Sequence, residues 1–221
     1  MHVAGAFSCI EIVDTIYHDL MRDGDIFIMS KGHGCMAQYV LLEDQGKINL
    51  DDYCKGPIGA HPDLHVPGIA AATGSLGHGL GMAVGMAYAD QEHTIYVLLS
   101  DGECMEGSTW EAALLANSLG LSNLQAFVDY NRMHSSGDIR FSIYDLRAKF
   151  AAFGWDAREA SGHSATSIVV YGTAFEPTKH PKGVICYTTK GEPISFMRNN
   201  PIWHYRSPTP SEYQQALTEL A

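Results

Sequence analysis

The sequence predicts an α/β fold, a doubly wound parallel sheet flanked by helices. Three observations carry this. Strand-length apolar runs alternate with segments of helical periodicity. The runs at 94–99 and 124–128 read as buried strands. Polar clusters at 100–107 and 129–137 follow those two runs, and open parallel sheets bind ligands beyond the carboxyl ends of their strands.

The elements follow in order. Residues 7–21 place Phe7, Ile10, Val13 and Tyr17 on one helical stripe. Residues 25–29 read as a short strand and 34–44 as a helix. Residues 50–68, rich in Pro and Gly, read as a long loop of the kind that often carries function. Residues 77–89 form a Gly- and Ala-rich helix suited to close packing against a neighbour. After strand 94–99 comes a helix over 108–119, with Ser108 or Thr109 as its N-cap. Strand 124–128 precedes a helix over 143–153. A strand over 183–188 and a helix over 211–220, capped by Ser211, end the chain. There is no repeat, low-complexity tract or linker, so residues 1–221 read as a single domain.

Composition narrows the function. Twenty-five acidic and 14 basic residues give a net charge of −11. That balance argues against nucleic acid or an anionic membrane as a partner. No apolar run approaches the ~18–20 residues of a membrane span. The first residues lack the charged and apolar regions of a signal peptide. Cys9, Cys35, Cys54, Cys104 and Cys186 form no CxxC pair and read as reduced thiols, so a cytoplasmic location is expected.

The chemistry gathers at two strand ends. Asp101-Gly102-Glu103 follows one apolar strand, and Asn131 follows the next, 30 residues after Asp101. Carboxylate and amide oxygens are hard ligands suited to Mg²⁺ or Ca²⁺. Mg²⁺ leaves positions open for phosphate oxygens, so few protein ligands suffice if a diphosphate completes the octahedron. Gly102 lets the backbone approach a phosphate closely. The plain alternative is a βα turn capped by Asp101 with an unrelated Asn in a loop. On spacing alone the two readings balance.

The wider pattern resembles the transketolase family. Ser100-Asp101-Gly102, then Glu106-Gly107, Trp110-Glu111-Ala112 and Asp129-Tyr130-Asn131, resembles its thiamine diphosphate motif, usually written GDG, about 30 residues, then N, with Ser100 in place of the first glycine. Met1-His2-Val3-Ala4-Gly5-Ala6-Phe7-Ser8 looks like GHxGGxxS, and Ser30-Lys31-Gly32-His33 looks like SKGH. Gly59-Ala60-His61-Pro62-Asp63 looks like the GHPE-type loop. Thr73-Gly74-Ser75-Leu76-Gly77-His78-Gly79 looks like TGSLGQG, with His78 for glutamine. Residues 195–204, ending Pro201-Ile202-Trp203-His204, look like SFMENNPxWH. These elements stand in family order across almost the whole chain.

The resemblance implies roles residue by residue. Asp101, Asn131 and the Met133 carbonyl would hold Mg²⁺, or Ca²⁺ or Mn²⁺ in its place. Gly102, Glu103, His33 and His204 would face the diphosphate of thiamine diphosphate. His2 and His61 would face the thiazolium and the donor sugar's hydroxyls, and with His33 and His204 they form the expected catalytic set. Backbone groups of Gly74 and Leu76 would hold the aminopyrimidine. Glu106 and Glu111 would lie at an interface between paired sites. Neutral imidazole donates and accepts near pH 6.5, as proton transfer on sugar hydroxyls requires.

The resemblance covers only the first of the family's three domains, the diphosphate-binding (PP) domain. The activating glutamate belongs to the pyrimidine-binding domain, and no segment here matches it. The implied protein is the N-terminal subunit of a split transketolase, active only with a separate partner chain and paired with it in a heterotetramer. The implied reaction moves a two-carbon ketol unit from a ketose or ketose phosphate to an aldose. The alternatives are a 2-oxo acid decarboxylase or E1-like subunit, and a non-catalytic cofactor-binding subunit. No G-x-G-x-x-G follows the first strand, which disfavours a nicotinamide site. Three departures stand out: the helix that usually precedes the first motif is absent, residues 162–182 are short, and Glu192-Pro193 replaces a common Lys-Gly. His18, His65, His93, His134, His163 and His180 have no motif and read as surface or loop residues. His78 reads equally as a site residue or a helix-start residue, and Cys104 as a small buried side chain.

Overall fold

A computed structural model describes residues 2–134, 137–138, 144–175 and 179–221. In chain order the elements are α1 (Val3–Phe7), α2 (Ile10–Thr15), β1 (Ile26–Met29), α3 (Met36–Asp44), α4 (Gly79–Ala89), β2 (Ile95–Ser100), α5 (Gly107–Ser118) and β3 (Leu124–Tyr130). Then come β4 (Met133–His134), β5 (Gly137–Asp138), α6 (Leu146–Ala152), β6 (Asp156–Ser161), α7 (Ala165–Thr173), β7 (Lys182–Tyr187) and α8 (Pro210–Leu220). Five strands form one parallel sheet in the order β1-β2-β3-β7-β6, as the doubly wound reading requires. β4 and β5 pair separately as a two-residue antiparallel ladder.

Burial explains the sheet. Every residue of β2 and β3 is buried. Along β2, Ile95, Val97 and Leu99 face one core with Leu80, Ala113 and Phe150. Tyr96 and Leu98 face the other, with Ile12, Tyr39 and Ile168. The period of two therefore serves two faces at once. Helices α4, α5 and α6 cover the first face, and α2, α3 and α7 the second. Handedness accounts for the split. The chain steps from β2 to β3 and on to the edge strand β6 in one direction, with α5 and α6 on one face. It then steps back to β7 with α7 on the opposite face. Right-handed crossovers demand that exchange of face when the direction reverses.

Several expected boundaries move, each for a local reason. The helix expected over 7–21 breaks at Ser8 and Cys9, and the break lets Ser8 Oγ reach Asp129 at 2.9 Å. Its end, Ile16–Leu20, is a π-helical turn. Helix α5 starts at Gly107, and neither Ser108 nor Thr109 caps it; the Thr109 hydroxyl instead donates to the Glu103 carbonyl at 2.7 Å. The cap of α8 is Thr209, not Ser211: Thr209 accepts from the Glu212 N–H, Glu212 accepts from the Thr209 N–H, and Pro210 opens the helix. Of the helix expected over 143–153, Ile143 lies outside the described residues, and Asp145 caps α6. Strand β6 and helix α7 were not expected. β6 reads Asp-Ala-Arg-Glu-Ala-Ser, an edge strand with no apolar alternation. No helix among the described residues is long and apolar enough to cross a membrane.

Candidate functional site

The carboxyl ends of β1, β2, β3 and β7 lead into one cleft of about 220 Å³. Register aligns them: Ser100 pairs with Asp129, the penultimate residue of β3 before Tyr130, and Asp129 pairs with Cys186 on β7. The segment after β1 supplies Lys31 and His33, the segment after β2 supplies Asp101 and Gly102, and that after β3 supplies Asn131 and Met133. Lys190 follows β7, and His204 arrives on a 3₁₀ turn, Pro201–His204, anchored by buried Trp203. His2, His61, Gly74 and Leu76 complete the wall.

Four expected histidines converge. The His2 ring lies 5.5 Å from His33, 5.9 Å from His61 and 5.3 Å from His204, centroid to centroid, and His33 lies 5.7 Å from His204. His2 is tied down by a parallel bridge to Arg206 and by Nδ1, 2.7 Å from the His204 carbonyl. A carbonyl only accepts, so His2 carries its proton on Nδ1 and leaves Nε2 as an acceptor. The Lys190 ammonium sits 2.8 Å from His204 Nδ1. An ammonium only donates, so the proton of neutral His204 is on Nε2. The long loop positions His61 through its carbonyl, which accepts from the Tyr39 hydroxyl at 2.9 Å. Gly74 closes over it: its φ is +140°, and a Cβ there would come 2.8 Å from His61 Cδ2.

Charge is concentrated below the rings. Asp129 is fully buried and accepts from Lys31, Thr188, Ser8 and Asn131. Lys31 also donates to the Gly5 carbonyl at 2.9 Å. Burial pulls the Lys31 pKa down, but Asp129 outweighs it and the net shift is upward. Burial, with help from Lys31 and Lys190, holds His33 well below the usual imidazole range, and burial lowers His2 as well. Both rings are therefore neutral at pH 7. Burial, with Lys31 adding repulsion, brings Lys190 down to about 8. Burial, reinforced by Asp129, raises Asp101 to about 7.

The donor set fits a divalent cation. Asp101 is 1 % exposed, and among the described residues its oxygens accept from the N–H groups of Gly102 and Arg132. The Lys31 ammonium is paired with Asp129, and among the described residues no ion pair joins Asp101 to a cation. The Asn131 amide nitrogen is held by Ser8 Oγ and Asp129, which fixes the orientation of its oxygen. Among the described residues no group of three His, Cys, Asp or Glu could by itself hold a metal. One carboxylate and one amide make a partial oxygen set that a ligand's phosphate would complete.

Two expected contacts are arranged differently. The Gly102 N–H donates to Asp101 Oδ1 at 2.8 Å. Glu103 does not line the cleft; its buried carboxylate accepts from Ser30, the Gly77 N–H at 3.1 Å and the Ser100 N–H at 3.1 Å. It braces the loops around the cleft. His78 is exposed at the start of α4, outside the cleft. Glu106 and Glu111 are exposed on the α5 segment, whereas the Trp110 ring packs within the chain against Phe150 and Phe153. Cys104 is buried with a strongly raised pKa, so it is an inert thiol. Lys31, Asp129, Lys190 and His163 were missed as contributors. Lys31 and Asp129 stood within the quoted motifs, while His163 had no local signal.

This site, at the carboxyl edge of a doubly wound parallel sheet, is that of an anionic-cofactor-binding α/β domain. Residues 14–204 match the family described as "Transketolase, thiamine diphosphate binding domain", and the chain belongs to the transketolase family. It is 38% identical to an apulose-4-phosphate transketolase subunit of Phocaeicola vulgatus, covering 100% of this chain and 86% of that one. It is 35% identical to a 6-deoxy-6-sulfo-D-fructose transketolase subunit of a Clostridium species, over 99% of this chain and 88% of that one. The fold superposes on a Pichia stipitis transketolase solved with sedoheptulose 7-phosphate, with a TM-score of 0.78 and 26% identity over 99% of this chain. The chain spans 41% of that transketolase's length.

Proposed function

We propose that this chain is the diphosphate-binding subunit of a two-chain transketolase, moving a two-carbon ketol unit from a ketose donor to an aldose acceptor. The observation that carries the proposal is the convergence of His2, His33, His61 and His204 over the Asp101–Asn131 oxygen pair in one cleft. The subunit names of the relatives from Phocaeicola vulgatus and Clostridium support a separate partner chain.

When bound, thiamine diphosphate supplies the nucleophile and electron sink for ketose cleavage. Asp101, Asn131 and the Met133 carbonyl would hold Mg²⁺, which would neutralise diphosphate charge. The Gly102 N–H, which donates to Asp101 Oδ1 in this structure, would be the backbone donor beside a phosphate oxygen. His204, with its proton on Nε2, and the Lys190 ammonium donate to anionic oxygens. His2 Nε2 accepts a proton from a donor hydroxyl, and His61 and His33 face the same space. Gly74 and Leu76 offer backbone groups to the aminopyrimidine. The partner supplies the pyrimidine-binding domain, in a heterotetramer, and the outer face of α4 and α5 with Glu106 and Glu111 is the candidate contact.

Calorimetric titration with thiamine diphosphate and MgCl₂ tests this, on the chain alone and with the partner subunit. Binding should tighten with the partner, vanish with EDTA, and fall at least ~100-fold in Asp101→Ala. Tight binding by Asp101→Ala would sink the assignment.

A further inference from the structure

The corner that carries Lys190 into the cleft is held from behind by a histidine that no motif marks. His163 lies in the turn between β6 and α7, with its side chain 22% exposed. The Thr189 backbone N–H donates to His163 Nε2 at 2.8 Å. An N–H can only donate, so Nε2 is unprotonated and the ring proton sits on Nδ1. That nitrogen lies 3.1 Å from Glu11 Oε1 on α2. The second Glu11 oxygen is buried with no hydrogen-bond partner among the described residues, so the His163 ring is what secures this carboxylate.

Other contacts lock the same corner. The Gly162 N–H donates to the Tyr187 carbonyl at 2.8 Å, and a Cβ at Gly162 would come 2.3 Å from Thr188 Cγ2. The Thr188 hydroxyl donates to Asp129. The Lys190 carbonyl accepts from the Asn199 N–H at 2.9 Å, and the Lys190 ammonium donates to His204 Nδ1. His163 thus grips the backbone one residue before Lys190 and ties it to α2, which packs beside α7 on one face of the sheet.

We infer that His163 is a positioning residue: by strapping Thr189 to Glu11 it aims the Lys190 ammonium at His204 and at an anion in the cleft. The inference rests on the cleft being the diphosphate site. His163 does not line the cleft, so it acts through the backbone and Lys190.

The ligand-free chain tests the strap directly. Lys190 is followed by NMR titration with carbon-labelled lysine, and the Thr189 amide by hydrogen exchange. His163→Gln keeps an amide oxygen at the reach of Nε2, whereas His163→Asn is too short to meet Thr189. In His163→Asn the Lys190 titration midpoint should rise by about one pH unit, toward a solvated lysine, and Thr189 exchange should quicken about tenfold. His163→Gln should leave both near the unaltered values. If Gln and Asn behave alike, the inference is overturned.

Cofactor titration in the presence of the partner subunit then separates this from the functional reading. His163→Asn should weaken binding of thiamine diphosphate with Mg²⁺ about fivefold, and should add nothing in a Lys190→Met background. Additive losses would overturn the route through Lys190. Should Lys190 and Thr189 respond as stated while Lys190→Met and Asp101→Ala both leave binding intact, the strap stands and the diphosphate reading falls.

Discussion

Lys190 is 3% exposed, and its ammonium donates to an imidazole. Its pKa, near 8, sets a pH test. The lysine is charged below that value and neutral above it. Anion binding is therefore favoured at pH 7 and lost as pH rises through 8. A group with this midpoint is about nine-tenths neutral at pH 9, so diphosphate affinity should fall roughly tenfold between pH 7 and 9. Lys190→Met should flatten the profile in a calorimetric pH series. A second residue-scale test concerns the buried pair of Lys31 and Asp129. Lys31→Met leaves a buried carboxylate without its cation and should cost about 3–5 kcal/mol of stability, read by urea denaturation. That Asp101 and Asn131 share one cleft was legible because each follows an apolar strand; spacing alone left their role open. The Asp129 hub was not, because its partners Ser8, Lys31 and Thr188 come from three distant segments and side-chain pairing across such separations leaves no local pattern.

At the scale of elements, strands β2 and β3 were legible from their apolar runs, and α4 from its run of small residues. Strand β6 was not: only Ala160 in it is buried, so it carries no stripe to read. Of the amino-terminal stripe, Ile10, Val13 and Tyr17 pack on one core while Phe7 packs on another, because the helix breaks at Ser8, which serves the Asp129 hub. The cap of α8 offers a clean test of local reading against geometry. Thr209 makes both bonds of a capping box, whereas Ser211 lies within the first turn. Thr209→Ala should lower stability by about 1 kcal/mol, and Ser211→Ala by a few tenths at most. Thermal melts of the two variants decide it; equal losses would restore Ser211 as the cap.

At the scale of the whole molecule, fold class and cleft location were legible together, since a parallel sheet places its ligand at the strand ends. What pattern could not supply was the order β3-β7-β6, which depends on a strand with no hydrophobic signature. That strand forms one border of the sheet, where unpaired backbone groups can recruit another chain. β6 meets this hazard with charge: Asp156 pairs with Arg158 at 3.2 Å, and Glu159 accepts from the Tyr187 hydroxyl at 2.8 Å. Edge strands guarded in this way resist sheet-to-sheet aggregation. Replacing Arg158 and Glu159 together by valine should keep the helical and strand content while producing self-associating particles in light scattering. A monodisperse double variant would contradict that. The polarity that hid β6 from sequence reading is thus what keeps separate molecules from joining along this border.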